Sequence, residues 1–198
     1  MTALRLHAPP ALLALSLLAA AFPARADTSD FSGAWQAWLC PEGVQRESGK
    51  CSTFVLELHQ KGERLCGVHT FSTADATRVD EGVAPSLSGT MSDEVATVTV
   101  TSTFGRAPVP VKAELRRTGA TLQWLRLDAP KGDFLLPQKA RLTRAKKKSL
   151  FAPLFAQELQ AVCLSAFNAA ELTNAPATAG QSPGSAGNAP SAGPLPKE

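Results

Sequence analysis

Between Asp30 and Ala145 hydrophobic and polar residues alternate in short runs, the two-residue period that sends successive side chains to opposite faces of a strand. Eight runs are predicted as strands: Gly33–Leu39, Thr53–Gln60, Arg64–Ser72, Val83–Met91, Val95–Phe104, Val109–Arg117, Thr121–Leu127 and Phe134–Arg144. Lys61-Gly62-Glu63, Ser92-Asp93-Glu94, Thr118-Gly119-Ala120 and Asp128–Asp133 separate neighbouring runs. These links are rich in turn formers and too short for crossover helices, so successive strands are expected to pair antiparallel.

The alternation also assigns faces. Phe54, Leu56 and Leu58 share one side, opposite Glu57 and the surface-exposed His59; Leu65, Gly67, His69 and Phe71 continue the inner side on the next run. Ala96, Val98, Val100 and Phe104 point inward against Thr97, Thr99 and Thr101, and Val109, Val111, Ala113 and Leu115 against Lys112, Glu114 and Arg116. One face is core and the other wet. Such a meander fits an up-and-down β-barrel or a β-sandwich, and the barrel is the expected form because closure removes exposed strand edges.

After Lys146-Lys147-Lys148 the period lengthens. Leu154, Phe155, Leu159, Val162, Cys163, Ala166, Phe167 and Ala170 form one stripe of a helix predicted over 149–173, with Ser149 as its cap and Pro153 in its first turn. Cys163 lies on that stripe. Cys66, Val68 and Val55 form a small apolar patch on the outer face of the strands, where the stripe can dock.

The ends have different compositions. Arg5 and His7 precede an uncharged stretch with the core Leu12–Leu18, and Ala24-Arg25-Ala26 supplies small residues at −3 and −1, so residues 1–26 read as a cleaved signal peptide. From Asn174 the chain turns to proline, alanine, glycine and serine, the composition of a disordered tail. What remains is a barrel over 27–148 and a helix over 149–173 that packs on it. The whole chain carries a formal charge of +3, but Arg5 and Arg25 leave with the signal, so 18 basic side chains face 17 acidic ones, a net of +1. A global basic field for nucleic acid is excluded. The mature chain is expected to be periplasmic or secreted, without a transmembrane segment.

Export places Cys40, Cys51, Cys66 and Cys163 in an oxidising compartment, where two disulfides are expected. Four cysteines permit three pairings. Cys40 and Cys51 bracket a polar loop between two strands, where hairpin ends are already close, which favours Cys40–Cys51 and leaves Cys66–Cys163 to tie the helix to the barrel.

The segment Gly33-Ala34-Trp35 at the first strand of an eight-strand meander, followed by a C-terminal helix, resembles the lipocalin-like (calycin) barrels over about 30–167. The resemblance implies that Trp35 packs at the closed end of the barrel against an arginine of the last strand, Arg141 or Arg144. Avidin-like and bacterial protease-inhibitor barrels also begin near a Gly-x-Trp.

Candidate chemistry is sparse. A Ser-His-Asp site needs a presented serine, and no Gly-x-Ser-x-Gly elbow occurs. Cys66 and His69 fall on opposite faces, and Cys66-x-x-His69 offers two ligands where structural zinc takes four, so neither a cysteine nucleophile nor a metal site is expected. Asp80-Glu81 and Asp93-Glu94 read as solvated turn residues. His69, on the inner face, is either a hydrogen-bonded core residue or a ligand contact. Trp124 and Trp38 are the aromatics available to stack a flat ligand at the barrel mouth, although packing is the commoner use of such side chains. The expected function is thus that of an exported, non-enzymatic binding barrel without cofactor, taking a small hydrophobic or flat molecule through His69, Trp124 and Trp38. The alternative is a periplasmic or secreted protein inhibitor of a protease- or lysozyme-type hydrolase. Either way the partner is a small molecule or a protein of the envelope.

Overall fold

The computed structural model describes residues 30–174. Residues 1–29, which include the expected signal peptide, and the expected tail beyond residue 174 lie outside the described residues. The strands are β1 (Gly33–Leu39), β2 (Ser52–Lys61), β3 (Arg64–Ser72), β4 (Val79–Glu81), β5 (Leu87–Ser92), β6 (Val95–Ser102), β7 (Val109–Thr118), β8 (Thr121–Arg126) and β9 (Lys139–Arg144), followed by α1 (Pro153–Asn174). All pairings are antiparallel, and β1 pairs with both β2 and β9. Eight strands therefore close a barrel, with the short β4 continuing the line of β5 along β3.

The predicted strand Val83–Met91 starts only at Leu87, and a separate short strand outside the predicted runs, Val79–Glu81, precedes it. Val79–Glu81 pairs with the end of β3 and Leu87–Ser92 with its start. Between them Gly82 to Ser86 forms a bulge in which Val83 is 74% exposed while Gly82 and Ser86 are buried. The last predicted strand also starts too early. Residues 134–138 belong to the β8–β9 loop because Phe134-Leu135-Leu136 breaks the alternation and Pro137 brings no ladder donor.

The inward faces otherwise follow the expected parity. Leu56, Val100, Val111, Ala113 and Leu115 have no solvent-accessible surface. Side chains without accessible surface line no space large enough for water, so this part of the barrel is filled, as expected for eight strands. Phe54 meets Trp124 edge-on with ring centroids 5.0 Å apart. Phe104, expected inward, is half-buried and lies under the Arg78 guanidinium at 4.5 Å.

Helix α1 packs outside the wall. Leu159, Cys163 and Phe167 join Cys66 and Val68 in a second apolar cluster, and both expected disulfides, Cys40–Cys51 and Cys66–Cys163, are present. Pro153 occupies the first helical position, where its missing N–H costs nothing. Ser149 lies outside the helix: it accepts a hydrogen bond from the Phe151 N–H at 3.0 Å and donates to Glu57 Oε2 at 2.7 Å. Glu57, expected on the wet face, is consequently buried. Leu154 and Ala166, assigned to the apolar stripe, are exposed. Among the described residues no helix is long and apolar enough to cross a membrane.

Candidate functional site: a plugged mouth, a buried His-Asp-Ser cluster and an open seam

One end of the barrel carries the β2–β3, β5–β6 and β7–β8 hairpins together with the start of β1. There Trp35 donates its indole N–H to the Phe31 carbonyl at 2.8 Å, and the Arg144 guanidinium lies 5.0 Å from the Trp35 ring. Arg144 also donates to the carbonyls of Ser32 at 2.5 Å and Asp30 at 3.3 Å. Gly33 at φ 119° passes against the guanidinium, a conformation that a side chain would strain. Of the two arginines proposed for Trp35, Arg144 is therefore the partner. It stands opposite Trp35 in register, whereas the odd offset to Arg141 turns that residue to the outer surface.

At the opposite end the β8–β9 loop folds over the mouth. Leu136 and Pro137 are buried, Phe134 and Leu135 pack on the core, and the Pro137 carbonyl accepts the Trp124 indole N–H at 2.8 Å. Arg126 pins the same loop by donating to the Leu136 carbonyl at 2.8 Å and to Gln138 Oε1 at 2.6 Å.

Beneath this plug lies a polar cluster. His69, Asp80, Ser86 and Ser102 are all buried, with His69 having no accessible surface. Ser86 Oγ accepts the His69 backbone N–H at 3.1 Å and shares a hydrogen bond with His69 Nδ1 at 2.8 Å. If Ser86 donates to Nδ1, Nε2 is the ring nitrogen that carries a proton. Nε2 is 3.3 Å from Asp80 Oδ2, without the alignment of a good hydrogen bond. Ser102 Oγ donates to Asp80 Oδ2 at 2.5 Å, the Thr103 N–H donates to Oδ1 at 3.0 Å, and Ser102 in turn accepts the Leu135 N–H at 3.3 Å. The cluster thus ties β3, β4, the bulge and β6 to the plug. Burial alone would raise the Asp80 carboxyl, but the contacts from His69, Ser102 and Thr103 bring it below the ordinary carboxylate value.

Gly82 makes the cluster possible, since a Cβ there would collide with the Ser86 side chain and sit 2.6 Å from His69 Nδ1. Ser86, His69 and Asp80 stand in the order of an acyl-transfer triad. Ser86 is nevertheless buried under Gly82, so its hydroxyl is not presented to a substrate in this conformation. Asp80, expected in a solvated turn, is the member that the sequence misplaced. Phe71 faces inward and Asp80 pairs directly with it, which carries Asp80 inside. Ser102 was readable as a polar residue at the inward parity of Val98 and Val100.

The three aromatic and imidazole candidates do not converge. His69 is sealed in the cluster and Trp124 is core. Trp38 is on the outer surface, 40% exposed, with the Arg46 guanidinium 4.4 Å from its ring centroid. His59 is half-buried under α1 rather than on the open surface, with Nε2 lacking a partner. Burial pushes its pKa below the ordinary histidine value, and the Glu57 charge offsets part of that shift. The Lys146–Lys148 run is exposed between β9 and α1.

A groove of about 610 Å³ runs along the outside of β7, β8 and β9, reaching Leu39, Trp124, Leu125 and Ala140 between the flanking charges of Lys139 and Arg141. In its wall Arg116 is paired with Glu114 at 3.2 Å. The groove opens where the barrel closes least completely, since the β1–β9 ladder comprises only Trp35↔Arg144 and Gln36↔Thr143. Two smaller concavities flank α1, one along His59 and Lys61 and one along Pro85, Ser88 and Gly89. Among the described residues no cluster of three or more potential metal ligands occurs.

Comparison with protein-family models, curated proteins and solved structures finds no match to this chain. What the fold and site define is a closed eight-stranded antiparallel β-barrel, plugged at one end, with a helix disulfide-bonded to its outer wall. The two disulfides fit a secreted or periplasmic protein.

Proposed function

We propose that this is an exported, non-enzymatic barrel of lipocalin-like architecture that binds a protein in the cell envelope through its outer surface, as an inhibitor of a hydrolase. One observation carries the reading: the barrel interior is filled by side chains such as Leu56, Val100 and Val111, and the β8–β9 loop covers the mouth. A small-molecule carrier needs enclosed space of several hundred Å³, which Trp124, Leu136 and the His69 cluster occupy here. The exposed groups available for contact are on the outside, among them Trp38 with Arg46 on the disulfide-bonded loop, and the groove along β9. The Trp35–Arg144 pairing supports the lipocalin-like comparison, and fold alone names no partner.

Titrating purified oxidised protein into proteolytic and cell-wall-degrading hydrolases of secreted and envelope origin tests the reading. The expected result is a linear loss of one enzyme's activity that reaches its end point at a fixed stoichiometry. Full activity across both hydrolase classes at saturating protein would overturn it.

A further inference from the structure

The seam between β1 and β9 is an unfinished part of the barrel. The Ala145 N–H donates to the Ala34 carbonyl at 2.8 Å, which sets the alternation: Ala34, Gln36 and Trp38 turn their backbone groups toward β9, and Ala145, Thr143, Arg141 and Lys139 turn theirs toward β1. The ladder stops after Gln36↔Thr143, so Trp38, Arg141 and Lys139 have no ladder partner across the seam. An open strand edge is a template for another strand, and proteins ordinarily cover or blunt it. Here the edge lies beside the groove, whose volume is within the roughly 300–1,000 Å³ of typical binding sites.

The side chains along this edge specify what fits. Lys139 and Arg141 share the outer face of β9, and neither has an ion-pair partner among the described residues. Ala140, between them, faces inward with Trp124, its register partner on β8, and Leu39 borders the same space. We propose that the β9 edge is a docking site for an extended segment of a protein partner, added as a strand, with an acidic–apolar–acidic pattern. The two acids, two residues apart, lie opposite Lys139 and Arg141, and the apolar residue between them turns into the pocket of Leu39, Trp124 and Ala140. Main-chain hydrogen bonds to Arg141 and Lys139 supply affinity, and the alternating side chains supply selectivity. The inference rests on the protein-binding part of the reading above and not on the partner being a hydrolase.

Three amidated pentapeptides with an N-terminal fluorophore test it by fluorescence anisotropy with the oxidised protein: Glu-Val-Glu-Val-Glu, Glu-Glu-Glu-Val-Val and Lys-Val-Lys-Val-Lys. The alternating acidic peptide is expected to bind roughly tenfold more tightly than either of the others: it gains two partly exposed charge pairs over the lysine peptide, and over the block peptide it avoids burying a glutamate in the pocket of Leu39, Trp124 and Ala140. The block peptide has the same charge, so equal binding of the two acidic peptides would mean a general polyanion surface and overturn the strand reading. The variant K139E/R141E is expected to reverse the preference toward the lysine peptide, and K139Q/R141Q to abolish the charge preference; both substitute exposed side chains. Absence of binding by all peptides, or an unchanged preference in K139E/R141E with a native circular dichroism spectrum, would also overturn the proposal. Hydrolase inhibition that survives K139E/R141E would leave the function standing with its contact elsewhere.

Discussion

Replacing Cys66 and Cys163 together by alanine is expected to cost about 4.7 kcal/mol of stability, on the chain-entropy scale for a loop of roughly this length. The bridge spans 97 residues and is the covalent tie between the barrel wall and α1. Alanine avoids burying the hydroxyls that serine would bring into the cluster of Val68, Leu159 and Phe167. Those contacts remain in the reduced chain, but α1 makes few others, and Leu154 and Leu164 on it are already exposed. Helix α1 should therefore detach before the barrel melts, and trypsin should cleave at Lys146–Lys148 faster than in the parent. The Cys40–Cys51 bridge closes only 11 residues, so its alanine variant should lose less, about 3 kcal/mol or below. Urea unfolding of both variants checks the order, and a smaller loss for Cys66→Ala/Cys163→Ala than for Cys40→Ala/Cys51→Ala would contradict it.

Asp80→Ala should be comparably damaging, at about 3–5 kcal/mol, because removing the buried carboxylate leaves several hydrogen-bonding groups unsatisfied at roughly 1–3 kcal/mol each. Ser102, the Thr103 N–H and His69 Nε2 would all face the gap. Asp80→Asn keeps the shape and should cost less, which separates loss of the charge from loss of the packing. The depressed Asp80 pKa also fixes a pH dependence. The stabilisation it brings is fully present above the ordinary value of 3.8 and is lost as the pH falls through the lower folded value. His59 acts earlier. Below the ordinary value of 6.5 the unfolded chain takes up a proton that the folded chain resists, so stability declines from there toward the lower folded value. Chemical denaturation between pH 8 and pH 2 should thus show two declines, with the lower one reduced in Asp80→Asn and the upper one in His59→Gln.

The barrel was legible in the sequence wherever one face of a strand is wet. Gly33–Leu39 and Arg64–Ser72 match their predicted limits, and Val109, Val111, Ala113 and Leu115 all enter the core. Legibility failed where another layer covers the outer face. Glu57 and His59 are polar by alternation, yet Ser149 and α1 lie over them, and strand periodicity carries no record of that footprint. It failed again at Phe134–Leu136, where three consecutive apolar residues belong to a plug rather than a strand. The His69 cluster was half visible. An inward histidine requires partners, but Asp80 comes from a three-residue strand too short to show a period, and Ser86 from a bulge that looked like strand. The open seam was hidden altogether, because the pairing of the first strand with the last has no local signal.

A filled and plugged interior is the claim on which the functional reading depends, and a methyl-resolved NMR titration of the oxidised protein with palmitate tests it most directly. The methyl resonances of Leu56, Val100 and Val111 should stay in place up to ligand saturation, any shifts being confined to outer residues such as Leu125. Saturable one-to-one shifts of those interior methyls, with release of the Trp124 indole from Pro137, would show that the plug opens and that the barrel is a carrier after all.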